Sequence, residues 1–296
     1  SPMPLADGGL GYPLSGRLPW RNTIDRRLRS LYPGLDAQAR NALRAQLTQR
    51  GDMAAQLRAL EIERDNLDST LHHWASQGNE NQRNARTVVR DLFNAAWRRD
   101  DPDSLTLQGL DIDTLPSLPA RFDHITTLNI RAIGIRQIPA DFFQSFPSLR
   151  TLRLAQSPEL DFEGLFRALA STPQLEVLEL GNNQLGSLTD SMRQRLASLP
   201  HLRRLSLRLN RLQLDETDLQ ALAQLPLEDL DLENNHIVLT EPLAARFTRL
   251  QHLRDLRMTN NPLGHAPHVT GLTRLANLQL RNCSLLEWPR GLTPLM

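Results

Sequence analysis

The segment LRRLSLRLNRL (residues 202–212) places leucine at 202, 205, 207, 209 and 212 and asparagine at 210. The same frame returns as LEVLELGNNQL (175–185), LEDLDLENNHI (227–237), LRDLRMTNNPL (253–263) and LANLQLRNCSL (275–285), with looser copies at 125–135 and 149–160. Aligning its second leucine gives Leu105, Leu128, Leu152, Leu178, Leu205, Leu230, Leu256 and Leu278, in steps of 23, 24, 26, 27, 25, 26 and 22 residues. A unit this short cannot bury its apolar side alone. Neighbouring copies must therefore stack into one continuous core.

The frame L-x-x-L-x-L-x-x-N-x-L at this spacing is the leucine-rich repeat signature. It predicts an α/β solenoid, a horseshoe of about eight repeats over 102–296 whose short parallel strands line the concave side. Apolar residues at helical spacing put helical returns at 162–172, 189–199 and 241–250. The shorter repeats, with Ile138-Pro139 and Trp288-Pro289, call for extended or 3-10 returns. Asn183, Asn210, Asn235 and Asn261 share one column, where an inward side chain satisfies backbone groups left open by the bend. Cys283, the single cysteine, falls in that column and reads as a buried structural thiol. Leu110, Ile133 and Ser157 occupy it in the first copies, so the ladder is expected to begin at the fourth repeat.

Residues 20–101 follow helical periodicity instead. A short helix is predicted over 23–31, ended by Tyr32-Pro33-Gly34. Stripes follow at Leu35, Ala39, Leu43 and Leu47, then at Met53, Leu57, Leu60, Leu67, Leu71 and Trp74. Beyond the polar break QGNENQ (77–82), Val89, Phe93 and Trp97 make another. Directly before the first strand, this reads as an α-helical bundle that caps the N-terminal end of the solenoid, after an extended segment at 1–19. At the other end GLTPL (291–295) repeats GLTRL (271–275), which suggests a solenoid truncated at its C-terminus, a piece of a longer protein.

GYPLSGRLPW (11–20), LYPGLDAQA (31–39), LRALEIERDNLDSTLHHW (57–74) and LPSLPARFDHITTLNIRAIGIRQIP (115–139) resemble the region that precedes and opens the repeats in pseudomonad-type bacterial effectors and toxins ending in a NEL domain, a novel E3 ubiquitin ligase domain. The resemblance covers nearly the whole chain; PLSGR and LYPGL are its more distinctive parts. It implies a virulence effector, secreted by a type III-like route into the host cytoplasm, whose repeats select a host target protein and restrain the ligase. The catalytic cysteine and the contact with a ubiquitin-charged E2 belong to a C-terminal domain that this chain lacks. No position here, Cys283 included, inherits the catalytic role, so this chain by itself is expected to be inert. The rival readings are a non-enzymatic leucine-rich repeat scaffold of a secreted effector, and the repeat region of a toxin with other enzymology.

Charge narrows the partner. All 34 cations are Arg, against 33 Asp and Glu, for a net charge of +1. That balance gives no support to nucleic acid or an anionic membrane as partner. No apolar run is long enough to span a bilayer, and residues 1–20 show no secretory signal. If about one cation in four were Lys, none among 34 would have a probability below about 10⁻⁴. Arginine-favouring codons explain it, or a ligase that avoids acceptor amines on its own surface.

No P-loop, G-x-S-x-G, H-E-x-x-H or paired-cysteine motif is present, so no catalytic residue, metal site or cofactor is assigned. His72-His73 point to different sides of a helix; His265 and His268 share a loop without an evident further ligand. The candidate substrate-binding surface is the concave face. The position after the first leucine reads Arg150, Glu176, Arg203, Glu228 and Arg254, and the mid-strand position Arg153, Glu179, Ser206, Asp231 and Arg257. Alternating signs on strands ~4.8 Å apart predict lateral ion pairs. Arg203, Arg204 and Arg208 form a basic group, balanced by Glu176, Glu179, Glu228 and Asp231. Glu228, Asp229, Asp231 and Glu233 form the acidic centre. Without concave aromatics, an aromatic hot spot is not expected.

Overall fold

Each leucine pair at positions four and six of the frame has a period of two, so both side chains leave the same face of a short strand. A computed structural model describes residues 3–4, 10–11, 19–109, 111–132 and 134–287, with side chains from residue 23 onward. Two short strands, β1 (Met3–Pro4) and β2 (Leu10–Gly11), pair antiparallel. The repeats contribute β3 (Ser104–Gln108), β4 (Thr127–Arg131), β5 (Thr151–Ala155), β6 (Val177–Glu179), β7 (Arg204–Ser206), β8 (Asp229–Asp231), β9 (Asp255–Arg257) and β10 (Asn277–Gln279). They form one parallel eight-stranded sheet in chain order. Leu105, Leu128, Leu152, Leu178, Leu205, Leu230, Leu256 and Leu278 are in register across it. The repeats build a leucine-rich repeat solenoid.

Behind the sheet run α5 (Phe162–Ala168), α6 (Asp190–Ala197), α7 (Glu216–Ala223) and α8 (Glu241–Arg246). The segments at 162–172 and 241–250 end as 3-10 turns, Leu169–Ser171 and Phe247–Arg249, because the chain tightens to re-enter the next strand. Phe142–Ser145 is the 3-10 return expected of a short repeat. Trp288-Pro289 lies outside the described residues. Helix α7 went unread in the sequence. Its signal was there: Asp215 and Asp218 form a reciprocal capping box before Leu219 and Leu222, both buried.

The asparagine column forms the expected ladder. Asn210 Oδ1 accepts from the backbone N–H of Asn183 (3.1 Å) and Leu185 (3.2 Å), while its Nδ2 donates to Leu180 O and Leu207 O. Asn183, Asn235 and Asn261 make equivalent bonds. At the far end the Cys283 thiol donates to Met258 O at 3.2 Å. The ladder starts one repeat earlier than expected: Ser157 is buried, its N–H donates to Asn183 Oδ1 at 2.8 Å and its hydroxyl to Ala132 O at 3.0 Å. A serine suffices because its hydroxyl reaches the carbonyl of the preceding repeat. Leu110 and Ile133 lie outside the described residues.

Four helices precede the sheet: α1 (Pro19–Leu31), α2 (Ala37–Gln49), α3 (Met53–Ala75) and α4 (Glu80–Trp97). Helix α1 starts before residue 23 because Pro19 fits a first helical turn, where its missing N–H has no intrahelical partner to lose. Asp36 and Asp52 cap α2 and α3, and Asn79 with Gln82 makes a capping box that ends the polar break. Helix α4 lies against the first repeats. Phe93 packs between Phe122 and Phe142, and His124 Nε2 donates to Ala96 O at 2.8 Å. Glu63 of α3 accepts from the Arg121 N–H at 2.9 Å, and Arg86 pairs with Asp113 at 3.1 Å. Helices and repeats thus share one core.

Candidate functional site

The concave face carries a row of ions. Arg150–Glu176 (3.9 Å), Glu176–Arg203 (3.5 Å), Arg203–Glu228 (3.6 Å) and Glu228–Arg254 (3.4 Å) run across five repeats without a break. Each carboxylate is shared by two guanidinium groups at partly exposed positions. Such pairs contribute ~0.2–1 kcal/mol each and exchange readily with water or a ligand.

The mid-strand column departs from its expected balance. Glu179 pairs with Arg153 of the preceding strand at 2.8 Å, so it does not neutralise the segment at 202–212. Asp231 is only 5% exposed, and its carboxylate accepts the Glu233 N–H at 3.0 Å and approaches Arg208 at 3.9 Å. The acidic centre is therefore not an open carboxylate cluster: Asp229 is paired with Arg257 at 3.2 Å and Glu233 lies 3.8 Å from Arg208. Burial pushes the Asp229 carboxyl above its ordinary range, against the pull of Arg257. Arg204 makes no ion pair among the described residues.

A residue that was missed in the sequence changes the picture. Arg131 ends strand β4 and stands in the same column as Arg208. Between them, Ala155 and Gly181 leave two consecutive repeats almost without side chain. The result is a cavity of about 800 Å³ on the concave face, lined by Arg131, Arg153, Arg204, Arg208 and Leu209 among others. A Cβ at Gly181 would come within 3.1 Å of Arg208 Cγ, so the glycine makes room for the arginine stem. Arg131, like Arg204, has no ion pair among the described residues. No lining residue is aromatic.

Other clusters have structural explanations. A cleft of about 710 Å³ between helices and repeats holds Tyr32, Glu63 and His124. Burial raises Tyr32 to about 12, and burial followed by Arg99 lowers His124 to about 4. Burial also pushes Glu63 up, but both its oxygens are engaged, by Arg121 N–H and Trp97 Nε1. His72 faces Arg90 and His73 faces Gln77. His268 lies 3.4 Å from Glu241, whereas His265 groups with Glu241 and Glu287, the ligand atoms within only 4.8 Å of one another. Three such ligands at partly exposed positions are one short of the four protein ligands of a closed structural zinc site. Cys283 is buried in the ladder, and burial raises its thiol pKa.

Neither a protein-family model nor a curated protein matches the chain. Among solved structures it is similar to internalin C2 from Listeria monocytogenes (19% identity, 75% of this chain and 85% of that one, TM-score 0.45). Human trophoblast glycoprotein is also similar (29% identity, 57% and 72%, TM-score 0.43), as is the leucine-rich repeat domain of the type III effector XopL (21% identity, 94% and 76%, TM-score 0.39). At these TM-scores the likenesses say nothing of partners.

Proposed function

We propose that the concave face binds a protein, and that the chain is the target-recognition module of a bacterial effector delivered into a host cell. The observation that carries this is the concave cavity, bounded by Arg131 and Arg208 and floored by Ala155 and Gly181, with Arg131 and Arg204 left without ion pairs among the described residues. Arg131 and Arg204 keep their charges at exposed positions beside the depression without an internal partner, and a protein ligand can supply one. The four helices act in this reading as the N-terminal cap, since α4 packs against β3, the edge strand of the sheet.

The parent protein is, in the same reading, a NEL-type E3 ubiquitin ligase. The all-arginine cation set and the resemblance in the helical region support that step, because Lys is the side chain that accepts ubiquitin.

Cross-linking of the purified chain in host lysate, followed by mass spectrometry, identifies the target and the face it occupies. Arg131→Glu with Arg204→Glu is expected to abolish that cross-link; Arg58→Glu with Arg83→Glu, on the helices, is not. The opposite result moves the site to the helices. For the ligase step, Arg195→Lys and Arg249→Lys in the parent protein are expected to acquire ubiquitin in the presence of a charged E2. Their staying unmodified while E2 is discharged would leave codon usage as the reason for the missing lysines. No discharge at all would favour the non-enzymatic scaffold.

A further inference from the structure

The residue before the ladder position is Gln156, Asn182, Leu209, Asn234, Asn260 or Asn282 in successive repeats. Every one of them is left-handed, with φ between 54° and 61°. The backbone is held there by the solenoid: the N–H groups of Asn182, Leu209, Asn234 and Asn260 each donate to a carbonyl of the next repeat, at 2.9–3.1 Å. Asparagine tolerates this conformation; leucine is ill suited to it. The asparagines also bond to one another, Asn260 to Asn234 at 2.8 Å and Asn282 to Asn260 at 3.0 Å. Leu209 interrupts that exposed amide row between Asn182 and Asn234.

Leu209 therefore forfeits conformational preference and hydrogen bonds, and it recovers little by burial, since it is 45% exposed. Its side chain lies on the rim of the concave cavity, beside Arg204 and Arg208. A side chain that weakens the fold and faces the binding surface is the mark of a site kept for a ligand.

We infer that Leu209 is the apolar anchor of the concave site, and that the partner is a protein segment carrying an aliphatic or aromatic side chain flanked by carboxylates. The apolar group covers Leu209; the carboxylates meet Arg204 and enter the gap between Arg131 and Arg208. Arg131 and Arg204 form no ion pair among the described residues, and Arg208 holds its carboxylates only at 3.8–3.9 Å, which is why the complement is acidic. This inference rests on the concave-face reading above and specifies its ligand.

The test is selection of a random peptide display library on the intact chain, followed by titration of the consensus peptide. Enriched sequences are expected to place Leu, Ile, Val or Phe beside Asp or Glu. Leu209→Asn should weaken the peptide about tenfold, as expected for uncovering part of a leucine side chain. It should also raise the melting temperature by roughly 2 °C, since it restores the favoured residue and the amide row. Enriched peptides without carboxylates, a melting temperature that falls, or no enrichment would each overturn the inference. Binding untouched by Leu209→Asn but abolished by Arg131→Glu with Arg204→Glu would sink the anchor and leave the concave site standing. Binding untouched by both would remove the concave site as well.

Discussion

The Phe93 ring of α4 meets the Phe142 ring of the repeats edge-on, with 6.2 Å between centroids and 72° between planes. Both rings are fully buried, and Phe122 completes the contact 6.3 Å from Phe93. Phe93→Ala removes a large side chain from the seam between helices and sheet and is expected to cost about 3–5 kcal/mol. If the helices close the end of the solenoid, chemical denaturation of the unmodified chain gives one transition by circular dichroism and tryptophan fluorescence alike. Two separated transitions would show a helical unit that stands apart from the repeats.

Asn210→Ala tests the ladder. The substitution strips the acceptor from two N–H groups, those of Asn183 and Leu185, and the donor from Leu180 O and Leu207 O. The two carbonyls keep Asn183 Nδ2 and Asn235 Nδ2 as donors, so two N–H groups are left unsatisfied at about 1–3 kcal/mol each, a total of about 2–6 kcal/mol. Hydrogen exchange at Asn183 and Leu185 should accelerate first. Unchanged protection there would mean that water replaces the amide without loss.

Acid should loosen the seam. Burial holds His124 at about 4 in the folded protein, against its ordinary 6.5 in the unfolded chain. Between those values the unfolded chain takes up a proton that the folded one refuses, so His124 lowers stability as pH falls from about 6.5 to 4 and has little effect above that window. Glu63, pushed up by burial, acts in the opposite sense by binding its proton earlier in the folded state. Urea midpoints at pH 7.5 and 5 should therefore diverge less in His124→Gln than in the unmodified chain. Equal divergence would assign the acid sensitivity to other groups.

Cys283 should be silent in the native protein. Its thiol is buried and bonded to Met258 O, and burial raises its pKa. The thiolate is the reactive form, so iodoacetamide is expected to modify it only after denaturation. A reducible ubiquitin adduct on native Cys283 would contradict both its place in the ladder and the expectation that this chain by itself is inert.

Arg208→Ala should change stability by less than about 1 kcal/mol, because its contacts to the covered Asp231 and Glu233 carboxylates are long (3.9 and 3.8 Å) and its own side chain is 44% exposed. A larger loss in urea denaturation would show that the covered Asp231 carboxylate relies on that guanidinium as a partner.

What the sequence determined by itself is what repeats with a fixed period. The leucine register, the inward column ending at Cys283 and the alternation from Arg150 to Arg254 all follow from strand spacing and a two-residue pleat, which are local geometry copied from one repeat to the next. The tertiary structure decided what depends on competition between neighbours. Glu179 has an arginine within reach on only one side, in Arg153, because the next repeat offers Ser206. Asp231 turns to an N–H two residues away and is covered. Arg131 becomes part of the cavity because Ala155 and Gly181 leave the space beside it empty. Leu209 shows the division most clearly. In the sequence it is one more leucine in a leucine-rich segment. Only the positive φ, held by the Leu209 N–H donating to Glu233 O of the next repeat, turns its side chain out of the core and onto the concave rim.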